Sequence, residues 1–378
     1  MDVFKPLSQL PGLWRRNRAA FRRAVRTTVA ALVTYALASV LDVPQGYWAV
    51  FTSIIVVQAS VGGTLQAALD YLIGTIGGAI WGAAAALLVP HADFWSTGAA
   101  LAVAVVPLAL AAALHQSFRV APITAVIVLL VTHNTSGPLQ AALERVLEIG
   151  LGSLVGVAVS FLVLPARAHG MVAEAAGQVL ALLAENIRLI AGGITAPWDD
   201  AKMSALETRI RAGLQRIETM AAEADRERAN HLTDERNPEP IARTLRRLRN
   251  DLVMVSRALG APLPEPFRAR LDEPVARIAQ CLADCFATVG VAIARRADPP
   301  SLEPVTAALA AFRARLEEVR HDPAFAALSA EDASRIFGLG FALEQLGLHL
   351  EDLVQRAAEF MRPVRKRRFF FWRGSARD

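Results

Sequence analysis

Between Val25 and Leu164 the chain lays down six apolar stretches, and the basic residues in that region are Arg26, Arg119 and Arg145 alone. The stretches run 25–41, 48–61, 67–89, 97–114, 122–132 and 141–164, each separated from the next by a turn-rich break. No other feature restricts the fold as much. A bilayer offers no water to the backbone, so a segment that enters it has to pair its own N–H and C=O groups, which a helix does. The second and fifth stretches are too short to cross: a helix rises about 1.5 Å per residue and the hydrocarbon core is about 30 Å thick. The pattern predicts an all-α integral membrane protein with six transmembrane helices over 25–165.

From about Pro165 onward charged residues of both signs become dense among Ala- and Leu-rich segments, the texture of a soluble helical domain over 166–361. Net positive charge is concentrated at the ends, in Arg15, Arg16, Arg18, Arg22, Arg23 and Arg26 and in Arg362, Arg365, Lys366, Arg367, Arg368 and Arg373. Residues 1–24 thus read as a basic amphipathic lead-in and 362–378 as a basic aromatic tail. Lys and Arg close to a membrane helix stay on the cytoplasmic side. The N-terminus is therefore expected inside, six crossings return the chain to the cytoplasm at Arg167, and the outer breaks 42–46, 90–94 and 134–138 carry no Lys or Arg. A cleaved leader is the rival for the first stretch, with Ala36-Leu37-Ala38 imitating a cleavage site, but cleavage would invert every later loop.

The membrane region repeats itself. A shift of about 74 residues places Gln66-Ala67-Ala68-Leu69-Asp70 on Gln140-Ala141-Ala142-Leu143-Glu144, and Gly63, Gly78 and Gly82 on Gly137, Gly152 and Gly156. Three helices per copy is an odd number, so the second copy enters from the opposite side and the copies, about 25–90 and 97–164, form an inverted pair. Asp70 is then expected near the cytoplasmic surface and Glu144 near the outer one. The short second and fifth segments fall at corresponding positions, which marks a midplane site where they are expected to meet.

The exits of those segments are polar: Gln58, Ser60 and Thr64 after the second, Thr132, His133 and Asn134 after the fifth. They read equally as the lining of a solute path or as ordinary helix caps. Of the ionisable residues in or beside the apolar stretches, Arg145 is a candidate partner for an anionic solute or for a carboxylate on another helix. Asp70, His133 and Glu148 are candidates for proton coupling. Tyr47, Trp48, Phe94 and Trp95 read as interface anchors. Gly74, Gly78 and Gly82, like Gly152 and Gly156, have the small-residue spacing that brings helix backbones into contact.

In the second half, Met203, Leu206, Ile210, Leu214 and Ile217, then Leu245, Leu248, Leu252, Val255 and Leu259, then Ile336, Leu339, Leu343, Leu346, Leu350 and Leu353 step by three or four. These are amphipathic helices of a bundle, about six of them, divided at 196–197, 237–238, 261–266, 299–300 and 322–323 by the prolines and turn residues that end helices. No phosphate loop, metal-ligand cluster or nucleophile arrangement occurs, so neither an ATP-driven pump nor an enzyme is expected, and no cofactor or metal. Cys281 and Cys285 read as small buried residues, and the basic run 243–249 as a solvated helix face rather than a nucleic-acid surface. In the tail, Arg365, Lys366, Arg367 and Arg368 with Trp372 combine cations for anionic headgroups with an interfacial aromatic, so it is expected to lie on the inner leaflet.

The Arg-rich lead-in, Gly46-Tyr47-Trp48-Ala49, Gln58-Ala59-Ser60-Val61-Gly62-Gly63-Thr64 and Gly74-Thr75-Ile76-Gly77-Gly78 together resemble the fusaric-acid-resistance, or aromatic acid exporter, family. The resemblance covers roughly the first 165 residues in detail and the rest in outline. It implies a bacterial inner-membrane secondary exporter of aromatic carboxylates or similar amphipathic anions, with a six-helix membrane block and a cytoplasmic helical domain. Plant aluminium-activated malate transporters, distant relatives of similar plan, imply that a passive anion channel is also open to this architecture; a membrane-anchored scaffold is the reading without transport. Two departures stand out. Tyr71 occupies a position where the family often has Arg, leaving Arg145 as the charge that its repeat partner lacks. The chain also has a single membrane block where many members have two, which points to a homodimer. Expected partners are the lipid bilayer, a small organic anion and, as a further candidate, a periplasmic efflux-accessory protein.

Overall fold

The computed structural model describes residues 18–90, 93–131, 137–165, 167–229, 233–265 and 267–362. Among these residues the chain is helix and connecting turn with no strand. It divides into two compact units between Arg167 and Ala168.

The first unit contains α1 (Arg18–Val40), α2 (Tyr47–Val56), α3 (Val61–Leu88), α4 (Phe94–Leu114), a 3-10 turn over Gln116–Phe118, α5 (Ala121–Val131) and α6 (Pro138–Leu162). α2 has 10 residues and α5 has 11, about 15 Å each, whereas α3 has 28 and α6 has 25, about 40 Å each. Sequence reasoning opens the third stretch at Ala67 because Gly62 and Gly63 look like a break. The helix starts six residues sooner, since the Ser60 hydroxyl accepts from the Gly63 N–H at 2.9 Å and caps it. Asp70 therefore lies well inside α3 rather than at its first turn. α4 is capped by Asp93 and Ser96, which satisfy each other's backbone N–H groups. α6 begins at Pro138, preceded by Gly137 at φ +83°, a conformation that favours glycine.

α3 packs along α6; α2 packs on α6 and α5 on α3; α1 covers α2 and α6, and α4 covers α5 and α3. The short helices α2 and α5 are not packed on each other, so the junction expected from their matching lengths is absent within one chain. The reason is glycine. A Cβ on Gly152 or Gly156 would fall 2.2 Å from the Ala49 carbonyl oxygen and 2.5 Å from Val56 Cγ2, so these positions receive α2. A Cβ on Gly78 or Gly82 would fall 2.3 Å from the Ala121 carbonyl oxygen and 2.7 Å from Ala125 Cα, and they receive α5. Each short helix thus sits in the glycine groove of the long helix from the other three-helix set. The turn over Gln116–Phe118 lies against Gly74, near the middle of α3, and the first turn of α2 lies against Gly152, past the middle of α6.

The outside of this unit is apolar. Leu32, Tyr35, Ile80, Leu88, Val106, Leu110, Leu114, Leu147, Leu154 and Leu162 are exposed, while its interior holds alanines, glycines and the buried hydroxyls of Thr34, Thr52, Ser53, Thr75, Thr124, Ser153 and Ser160. A polar interior under an apolar surface is the arrangement of a protein solvated by lipid.

The second unit comprises α7 (Ala168–Ala191), α8 (Asp200–Ala229), α9 (Glu239–Ala258), α10 (Phe267–Arg295), α11 (Glu303–Arg320) and α12 (Ala330–Met361). α7 packs on α10 and α8, α9 on α12, and α11 on α10. Leu206, Ile210, Leu214 and Ile217, the Leu245 to Leu259 set and the Ile336 to Leu353 set all lie in one core with Leu183, Phe286 and Phe312. Among the described residues five helices are long and apolar enough to cross a membrane: α3, α4 and α6 of the first unit, and Ala168–Ile194 and Phe267–Arg295 of the second. The latter two differ in where their apolar side chains go. Val172, Val179, Leu183 and Ile187 of α7, and Val275, Ile278, Leu282, Phe286 and Val289 of α10, are inside the bundle core, so these helices pack against protein. Cys285 is buried there as well, and Cys281 half-buried.

Candidate functional site

Two polar clusters are buried in the first unit. In one, Arg145 and Glu148 lie one turn apart on α6 and form an ion pair of 3.2 Å with both side chains buried. The Arg145 guanidinium lies 3.7 Å over the centre of the Trp48 ring on α2, and its Nε has no hydrogen-bond partner. Trp48, an expected interface anchor, thus holds a cation through its π face. Arg145 meets a carboxylate on its own helix rather than on another. Ionised groups this far from solvent persist only when each neutralises the other. Any event that takes the charge from Glu148, or offers Arg145 a second carboxylate, changes the balance of the pair.

The other cluster gathers at the α2–α3 junction. Thr64 Oγ1 donates to the Ser60 carbonyl at 2.9 Å and accepts from the Gln58 N–H at 2.9 Å and from Ser160 Oγ of α6 at 3.3 Å. Gln58 Nε2 donates to the Ile55 carbonyl at 2.9 Å. Gln58, Ser60 and Thr64 are therefore brought together as caps of the α2–α3 junction, and Thr64 reaches α6 through Ser160. Beside them Arg26 of α1 is fully buried and donates from Nη2 to the Ala59 carbonyl at 2.7 Å. Arg26 and Ser160 are absent from the sequence-derived site. The signal for Arg26 was a single cation just inside an apolar stretch; Ser160 carried none.

Asp70 is separate from both clusters and half-buried. It accepts from Gln66 Nε2 at 3.0 Å and from Ser117 Oγ, on the turn before α5, at 2.6 Å. At the corresponding repeat position Gln140 Nε2 donates to Glu144 at 2.9 Å, so the shared Gln-Ala-Ala-Leu-acid segment makes the same contact twice. Thr132, His133 and Asn134 lie outside the described residues, as do Arg365, Lys366, Arg367, Arg368 and Trp372.

Among the described residues no group of three or more His, Cys, Asp or Glu side chains is placed to hold a metal ion. In the second unit His349 Nδ1 lies 2.6 Å from an Asp251 carboxylate oxygen, a contact between α12 and α9. Burial pushes the Asp251 carboxyl above the ordinary carboxylate range, against the opposing hydrogen bond and charge of His349.

An ion pair seated on an aromatic ring, inside a unit of glycine-packed helices with an apolar exterior, is the setting in which membrane transporters handle charged solutes. A comparison with curated proteins finds no match. The family model described as the fusaric acid resistance protein family matches residues 20–373, nearly the whole length, and the chain belongs to that family of membrane transporters.

Proposed function

We propose that the chain is a proton-coupled secondary transporter of the bacterial inner membrane that exports aromatic carboxylic acids or similar amphipathic organic anions. The first unit is embedded as two inverted three-helix repeats, α1–α3 and α4–α6, the second unit and both termini are cytoplasmic, and the basic tail rests on the inner leaflet. The reciprocal seating of α2 on α6 and α5 on α3, and the twice-made Gln-to-acid contact, support the repeat.

One observation carries the transport reading: the buried Arg145–Glu148 pair under Trp48. With Glu148 ionised, Arg145 is occupied. A proton on Glu148 removes its charge and releases the guanidinium, with its unpaired Nε, to a solute carboxylate whose aromatic body has Trp48 alongside. Loss of that proton restores the internal pair and expels the solute. Glu148 and the solute carboxylate thus compete for one cation, and the proton on Glu148 decides between them, which couples solute binding to protonation. Gln58, Ser60 and Thr64, with Thr132, His133 and Asn134, line the remainder of the route; His133 and Asp70 are further proton carriers. A homodimer completes the assembly, and a periplasmic accessory protein is a further partner.

The test is export from proteoliposomes of a panel of aromatic and aliphatic acids, with and without an imposed pH gradient. Wild-type flux is expected to rise with the gradient, and Glu148→Gln to transport without responding to it. Flux that follows membrane potential and ignores the gradient would establish a channel instead.

A further inference from the structure

The exporter reading leaves Arg26 unused. Its side chain has no solvent exposure. Nη2 is held by the Ala59 carbonyl, while Nε and Nη1 have no hydrogen-bond partner. Among the described residues the charged groups that act on it, Arg23 and Arg22, have the same sign. A guanidinium does not give up its proton, so the charge stays and burial without a counter-charge is strongly unfavourable. Ala59 immediately precedes Ser60, the cap of α3, so the positive end of a 28-residue helix dipole points to the same place. Two independent sources of positive potential converge beside the Thr64 and Ser160 hydroxyls, and no ion pair to Arg26 forms among the described residues.

We propose that Arg26 and the N-terminal end of α3 form an anion-binding site for the carboxylate of a small monoacid, with Nε and Nη1 supplying the hydrogen bonds. That this acid is the exported cargo rests on the exporter reading; the binding of an anion does not. Because Arg26 has no solvent exposure, the ligand enters only when the groups that cover its guanidinium move aside.

Full-length protein in nonionic detergent, titrated with radiolabelled benzoate, tests the site directly. Wild type is expected to bind benzoate saturably and to ignore benzamide, its uncharged isostere. Arg26→Gln is expected to bind at least about tenfold more weakly, the loss of a charged hydrogen bond. Arg26→Lys, which keeps the charge without the planar fork, is expected to fall between them and serves as the folded variant if Arg26→Gln is unstable. Arg119→Gln, an exposed arginine in the other half of the unit, retains full binding. Unchanged benzoate binding in Arg26→Lys and Arg26→Gln overturns the site, as does equal binding of benzamide. Displacement of benzoate by phosphatidylglycerol also overturns it, because the site then takes a lipid phosphate. Intact, Arg26-dependent binding without export from proteoliposomes leaves the site standing and sinks the exporter reading.

Discussion

Gly152→Ala tests the packing of the membrane unit at a single atom. The added Cβ would lie 2.2 Å from the Ala49 carbonyl oxygen and 2.8 Å from Thr52 Cβ, where ordinary contact begins near 3.4 Å. The nearest obstacle is backbone, so no side-chain rotation relieves it, and α2 has to withdraw from α6 by about 1 Å. A gap of that size forfeits a quarter to a half of the dispersion energy of each contact it opens. Overpacking of this kind costs about 1–3 kcal/mol. Against it stands the helix preference of Ala over Gly, up to about 1 kcal/mol. Gly150→Ala isolates that second effect, because nothing lies within 4 Å of its added Cβ. Melting of detergent-solubilised variants, at about 2–4 °C per kcal/mol for a unit of this size, is expected to place Gly152→Ala below wild type and Gly150→Ala at or above it. Gly78→Ala, whose Cβ would meet the Ala121 carbonyl oxygen at 2.3 Å, should fall as far as Gly152→Ala. Equal melting of Gly152→Ala and Gly150→Ala would refute the steric argument. A large difference between Gly78→Ala and Gly152→Ala would refute the equivalence of the two three-helix sets.

In the second unit, Phe286→Ala empties a fully buried ring from the core and should cost about 3–5 kcal/mol, measured by denaturant unfolding of the full chain. Trp48→Leu keeps an apolar contact but removes the π face under Arg145; a loss of about 0.5–2 kcal/mol is expected as a lowered melting temperature, with Trp48→Phe losing less. Native mass spectrometry of the detergent-extracted protein should give a dimer, and a monomer that retains export would remove the need for a second copy.

Periodic burial was legible wherever side chains alone decide it. Leu245, Leu248 and Leu252, or Ile336, Leu339 and Leu343, step by three or four because one helix face is inside, and each is in the core. The glycine spacing of α3 and α6 announced backbone contact, but not with which helix: the same groove fits any apolar partner of small residues, so α2 and α5 were expected to meet each other and instead take the opposite long helices. Gly62 and Gly63 read as a break because their low helix propensity outweighs, in sequence, a single capping hydroxyl at Ser60 that the fold brings into play. Arg145 was identified as a charge in need of a partner; that the partner is Glu148, three residues on, depends on Trp48 closing the other side of the guanidinium. Arg26 stands out in the sequence as a cation at the edge of an apolar stretch but is not assigned to the site, because the Ala59 carbonyl that receives it belongs to a backbone junction, which leaves no mark in a side-chain pattern.

The two glycine seams have a mechanical corollary. At Gly152, Gly78 and Gly82 the nearest atom of the seated helix is backbone, a carbonyl oxygen at the first two, while at Gly156 it is a Val56 methyl. Knobs of leucine interlock and hold a register; smooth backbone does not, so α2 on α6 and α5 on α3 are bearings along which small axial slips disturb few rotamers. The stiff part of the unit is then the α3–α6 spine, and the parts free to slide are α2 and α5, which ride on it.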